Sequence, residues 1–167
     1  MMPTYAPNDI TLVIVYGDNT HIVGGYTETA MISAVTNNPR HTMYTSADNR
    51  SCRIRHGDNS KTLTISLNQT SYSNDILWAI HQEDCETSEG WFQVLLKDNN
   101  GRTVMSSNDC YIITPPATTV SNGIEAREWQ IYVHNPIEHI GGNDQIPPSE
   151  VVTLGNLGYT PDSRWTS

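Results

Sequence analysis

The chain has 167 residues, enough for one domain that buries about 70% of the surface its unfolded form exposes, so folding calls for neither a cofactor nor a disulfide. Eighteen acidic against nine basic side chains give a formal net charge of −9, which argues against a general nucleic-acid binder that works by attracting phosphate. Cys52, Cys85 and Cys110 cannot all pair within one chain and form no C-x-x-C motif, a pattern that fits a reducing compartment.

The start, MMPTYAPNDI, lacks the basic residues and apolar core of a secretory signal, and Leu12 to Tyr16 falls far short of the ~20 apolar residues of a membrane helix. The sequence therefore predicts a chain made in the cytosol with no membrane-spanning segment. Gly17-Asp18-Asn19-Thr20 separates two β-rich stretches and predicts a hairpin joining Thr11–Tyr16 to His21–Val23, because these residues tolerate left-handed backbone and bond their own main chain. Gly24-Gly25 has no Lys after it to serve a phosphate and reads as a turn or bulge. Strands follow at Glu28–Thr36 and His41–Thr45.

Gly57-Asp58-Asn59-Ser60 repeats the turn chemistry and predicts a second hairpin, Ser51–His56 with Lys61–Asn68. On the first of these strands Arg53 and Arg55 project opposite to Cys52 and Ile54, giving a solvated basic face or a contact with carboxylates of a neighbouring subunit. On the second, Leu63, Ile65 and Leu67 alternate with Thr62, Thr64, Ser66 and Asn68, one apolar face and one neutral polar face. A helix comes next, with Ser71 able to cap it, Asp75 in its first turn and Ile76, Leu77 and Ile80 as its apolar side. Asp84 to Gly90 reads as an acidic exposed loop, with Glu86 and Glu89 as candidate intersubunit contacts.

Asp98-Asn99-Asn100-Gly101 predicts a third hairpin, Trp91–Lys97 with Arg102–Ser106, and strands follow at Cys110–Thr114 and Glu128–His134. His134-Asn135-Pro136-Ile137-Glu138-His139 carries two imidazoles and a carboxylate, but the proline argues against the helix that would bring them onto one face as metal ligands, so a structural or surface role is expected. From Gly141 the pattern dissolves into a Gly/Pro-rich tail, 141–167, which has too little apolar surface for its own core and is expected to be loose or an arm against another subunit. Residues 1–140 form the expected β domain. No phosphate loop, nucleophile elbow or H-E-x-x-H motif occurs, and the sequence predicts no enzyme, no metal and no cofactor.

The stretch Arg40 to Asn135 resembles the tail tube proteins of contractile-tailed bacteriophages. Lys61 to Leu77 carries the likeness, a strand ending in Asn68-Gln69-Thr70-Ser71 that leads into a helix starting near Asn74-Asp75-Ile76-Leu77. Phe92 to Asp98, Gly101 and Glu128-Trp129-Gln130-Ile131 continue it. The resemblance implies a mainly β subunit, sandwich or barrel-like with one flanking helix, whose strands join a larger intersubunit β-barrel. It further implies sixfold rings stacked into a hollow tube, a relation to type VI secretion tubes, and partners in the sheath, baseplate, tape-measure and tail terminator proteins. Phage DNA would pass through the lumen unbound, and the location would be the virion tail, assembled in the host cytoplasm. Under that resemblance Thr62, Thr64, Ser66 and Asn68 become candidates for the lumen wall, where uncharged hydroxyls and amides are wetted without gripping phosphate. Other readings are a tail terminator, a head decoration protein, or a ligand-binding β-sandwich in which Trp78, Trp91, Trp129 or Trp165 stacks on a sugar.

Overall fold

The computed structural model describes residues 2–28 and 31–166. Among them eight strands form one antiparallel sheet, built from β1 (Ile10–Tyr16), β2 (Asn19–Ile22), β3 (Ile32–Thr36) and β6 (Lys61–Asn68), with β7 (Phe92–Asp98), β8 (Val104–Thr114), β9 (Ala126–His134) and β10 (Ile137–His139). The order is β2-β1-β7-β8-β9-β6-β3, and β10 pairs with β8. Two further strands, β4 (His41–Thr45) and β5 (Ser51–Arg55), pair only with each other. The first and third expected hairpins are present as β1–β2 and β7–β8. The expected strands at His41–Thr45 and Glu128–His134 are β4 and β9, and Cys110–Thr114 is the second half of the long β8. Of the strand expected over Glu28–Thr36, Thr29 and Ala30 lie outside the described residues and Ile32–Thr36 is β3.

The second expected hairpin is a correction. β5 turns back on β4, and β6 inserts between β3 and β9, so Gly57–Ser60 links two sheets. The reason is local: the Asp58 carboxylate accepts from the Ser60 amide and the Asn38 side-chain amide, which turns the chain away from β5, while the backbone amide of Asn37 donates to the Ser60 carbonyl. β6 also has an apolar face that needs neighbours on both sides, which the polar ribbon cannot supply.

Alternation builds the core. Leu12 and Ile14 on β1, Leu63, Ile65 and Leu67 on β6, Phe92 and Val94 on β7, and Trp129, Ile131 and Val133 on β9 are all buried. A cavity lined by Ile10, Ile32, Ala34 and Leu96 brings β3 close to β1 and β7, which lie at the other end of the strand order, so the sheet curls around its core. Helix α1 (Ser73–Thr87) closes the open side. Its Leu77 and Ile80 are buried, each contributing about 1.5–3 kcal/mol before ordering entropy, while Ile76 stays partly exposed at the edge of a groove against β1 and β2. Polar ties fix the helix: Trp129 Nε1 donates to Asn74 Oδ1 at 2.9 Å, and the Gly24 amide donates to Ser73 Oγ at 3.2 Å. Ser71 Oγ accepts from the Ser73 amide at 3.2 Å and itself donates to the Gly24 carbonyl. Gly25 is required there, with φ at +78° and Ser71 so close that a Cβ would sit 2.6 Å from it.

α1 runs on through the stretch expected to be a loop, and only Ser88, at φ +59°, ends it. Asp84 explains the stop, since its carboxylate accepts from the Gly90 amide and folds the chain back towards β7.

The tail is more structured than its composition suggests. It carries a second helix, α2 (Pro148–Asn156), and residues 141–166 fold against their own chain. The Asn143 side-chain amide donates to Asp98 and to the Asn100 carbonyl, Arg102 donates to the Asp144 carbonyl, and Ile146 bridges to Thr166. Trp165 is buried, and two guanidinium groups lie over its ring, Arg102 at 5.2 Å and Arg164 at 5.1 Å from its centre. Sequence periodicity could not show this, because one aromatic anchor and two cations substitute for a core. Trp165→Ala is expected to cost about 3 kcal/mol, in the range for buried aromatic truncation. Limited proteolysis should then cut between residues 142 and 166 while the sheet stays intact, and an unchanged digestion pattern would show that the tail is held elsewhere.

Candidate assembly surfaces

The polar side of β6 belongs to a wider surface. Thr62 faces Tyr132 and Val35 across its two neighbours, Thr64 faces Gln130 and Ser33, and Ser66 faces Glu128. Tyr132 in turn faces Tyr111, with rings stacked at 4.9 Å, and Trp91 meets Tyr111 edge-on at 5.3 Å. The two cations of β6 and β9 alternate to the other side: Lys61 is opposite Val133 and Arg127 is opposite Leu67. Lys61 is there neutralised by Glu138 at 2.6 Å, and the Arg127 guanidinium donates to the Ala117 and Thr119 carbonyls. Among the described residues of β3, β6 and β9, this face is thus free of Lys and Arg. Of the candidate wall residues Thr62, Thr64, Ser66 and Asn68 are all half-buried; Thr62 donates to Asn37 Oδ1 and Asn68 to the Tyr26 carbonyl.

The β4–β5 ribbon carries the second set. Arg53 lies opposite Met43 and Arg55 opposite His41, on one face, with Tyr44, Cys52 and Ile54 on the other. Every residue of β5 is exposed, as are Met43 at 77% and Tyr44 at 55%, so the ribbon stands clear of the core on both faces. Its base is clamped by the His56 amide donating to the Arg40 carbonyl, the Arg40 guanidinium donating to the His56 carbonyl, and Thr42 Oγ1 against His56 Nε2 at 2.8 Å. Glu86 and Glu89 sit on the last turn of α1 and just after it, both exposed, and that last turn holds no basic residue. The structure does not bring these two carboxylates to Arg53 and Arg55 within one chain, since the ion pairs among the described residues are Arg50 with Asp48 and Lys61 with Glu138.

The remaining candidates are structural. His134 stacks beside Tyr132 and His139 stacks on Tyr159 at 4.8 Å, so the two imidazoles belong to separate aromatic pairs. Cys52 and Cys85 are exposed free thiols, and burial pushes the Cys110 thiol up to about 11. Burial likewise holds the His21 imidazole below its ordinary value. No helix among the described residues is long and apolar enough to cross a membrane.

The family model described as Bacteriophage PhiTE tail tube protein matches residues 2–141. The chain belongs to this phage tail tube family. As a member of it, the chain is a structural protein of a phage tail and not an enzyme. It is 36% identical over 166 residues to the structural protein ORF10 of Pseudomonas phage KPP10, covering 97% of this chain and 96% of that one. The tail tube fold also matches a chain of the 6-fold symmetrised anti-feeding prophage baseplate, with a TM-score of 0.60 and 9% identity over 83% of this chain and 97% of that one. A chain of the anti-feeding prophage tube-terminating cap matches with a TM-score of 0.56 and 10% identity, over 83% and 94%. At such identities the likeness shows a shared fold, and the mainly β tail tube subunit expected from the sequence is the one observed.

Proposed function

We propose that this chain assembles as sixfold rings that stack into the hollow tube of a contractile phage tail, and that the tube conducts DNA without binding it. The observation that carries the reading is the polar face over β3, β6 and β9, which holds no Lys or Arg among the described residues; on this reading Thr62, Thr64, Ser66 and Asn68 line the lumen. Any cation there would be multiplied by symmetry into a ring, and neutralised phosphates bind with strong, salt-dependent affinity. β2 and β3 end the main strand order of the curled sheet, and among the described residues each pairs with one strand only, leaving a side for a strand of the next copy, which is how a closed intersubunit barrel removes its edges. The sixfold symmetry of the anti-feeding prophage baseplate supports the ring size.

On this reading Arg53, Arg55, Glu86 and Glu89 lie at contacts between copies, residues 141–167 act as an arm attached to the β domain 1–140, and the outer partners are sheath, baseplate, tape-measure and terminator proteins. The tube is built in the host cytoplasm and remains in the virion. Negative-stain microscopy of the purified full chain tests the core of this. Hollow fibres are the expected result, single rings would favour a terminator-like cap, and a monomer at every concentration would overturn assembly altogether.

A further inference from the structure

The chain's cations are not evenly spread. Arg40, Arg50, Arg53 and Arg55 lie on or beside the ribbon, Lys61 is paired with Glu138, and Arg127 is held by carbonyls. The other three, Lys97, Arg102 and Arg164, line one cavity of about 530 Å3 between the β7–β8 hairpin and the tail. Its two carboxylates are occupied: Asp98 accepts from Asn143 and from the Asn100 amide, and Asp162 accepts from the Arg164 amide. None of the three cations has a carboxylate within ion-pair distance among the described residues. The walls are aromatic, with Tyr159 stacked on His139 and both arginines over the Trp165 ring. Three cations against two carboxylates still leave this lining net positive in a chain of net charge −9.

The same chain has an unbalanced negative pole. Glu83, Glu86 and Glu89 surround the C-terminal end of α1, where the helix dipole is already negative and the last turn offers no base. None of these carboxylates has an ion-pair partner among the described residues. The two poles sit at opposite ends of one strand. α1 ends five residues before β7 begins at Phe92, while Asp98 at the far end of β7 borders the cavity, and seven residues of strand span roughly 20 Å. Within one chain they cannot meet. Between copies stacked head to tail they can, and such a heterologous contact propagates in one direction.

We infer that the cavity built by Lys97, Arg102 and Arg164 receives the acidic end of α1, Glu86 and Glu89, from a second copy of this chain. This rests on the proposed assembly and names one of its contacts. Tyr159, Arg164 and Trp165 lie beyond residue 141, where the match to the family model ends, so the tail completes a receptor whose other residues, Lys97 and Arg102 among them, belong to the matched domain. The ribbon arginines are the competing receptor, but they stand on an open surface without a concavity, and Arg50 is partly engaged by Asp48 at 3.3 Å.

Carbodiimide coupling of the assembled full chain tests the contact directly, because it joins an amine to a carboxylate only when they touch. The expected product is an intermolecular link from Lys97 to Glu86 or Glu89. Lys97→Glu, an exposed position that leaves the Trp165 contacts intact, should raise the concentration needed for assembly about tenfold or more, and adding Glu86→Lys with Glu89→Lys should restore it. Lys97 linked only to other carboxylates, a reversal without effect, or a swap that fails to rescue would each overturn the inference while tubes still form. A wild-type chain that never assembles would instead overturn the tube reading, and the contact with it.

Discussion

Replacing Ile65 by aspartate is expected to abolish folding. Ile65 is fully buried in the middle of β6, with Ile32 on one side and Trp129 on the other. Losing the isoleucine alone costs about 2–5 kcal/mol by comparison with core truncations. The carboxylate adds several kcal/mol more, because no described cation points into this part of the core. Together these exceed or match the ~5–15 kcal/mol that holds a typical domain. Far-UV circular dichroism and soluble yield measure the outcome, with Ile65→Val as the control at about 0.5–1.5 kcal/mol. A soluble Ile65→Asp chain that still assembles would mean that the apolar and polar faces of β6 have been assigned the wrong way round.

The opposite face of the same strand gives the second large effect. Thr62→Lys, Thr64→Lys and Ser66→Lys together leave every core side chain in place and remove one hydrogen bond, from Thr62 to Asn37. Folding and assembly should survive. On the proposed assembly, what changes is the wall: three ammonium groups per subunit would be repeated around each ring, beside a moving polyanion. Each phosphate neutralised adds about 0.9 to the slope of log affinity against log salt. Particles built with the triple variant should package DNA normally but deliver it poorly, with infectivity per particle down by at least about tenfold, partly relieved at high salt. Normal infectivity would take this face off the lumen, leaving its neutrality as an ordinary feature of a wetted sheet.

The elements that the sequence announced share a physical property: their partner is specified by their own pattern. β6 and β9 alternate strictly, and in each the apolar set needs cover on one side only, so alternation located both the strand and its inward face. The β1–β2 and β7–β8 turns join strands that are adjacent in the sheet, where turn chemistry and pairing coincide. Gly57–Ser60 has the same chemistry and a different role, because a turn fixes how the chain bends and not which strand it meets. The end of α1 was hidden for another reason: Asp, Cys, Glu, Thr and Ser read as a hydrophilic loop until Asp84 and Gly90 are seen to close the helix in space. The tail was least legible, since its attachment depends on Arg102, some sixty residues earlier in the chain than Trp165. For the assembly surfaces, the neutral side of β6 was visible in sequence, whereas the aromatic strip of Trp91, Tyr111 and Tyr132 and the cavity under the tail arise only when distant strands are brought side by side.

The bare β4–β5 ribbon bears on how fast such a polymer starts. Two strands without a third or a core are marginal in water, so a free subunit keeps its ribbon only loosely populated in the ordered form. If the proposed tube forms, a growing end would supply the missing wall where a solitary copy does not, so that the first few encounters would be unproductive and later ones would stick. On the proposed assembly, subunits with that property would stay dispersed until a seed is present, and tube growth would then be timed by the seed and not by the amount of protein made.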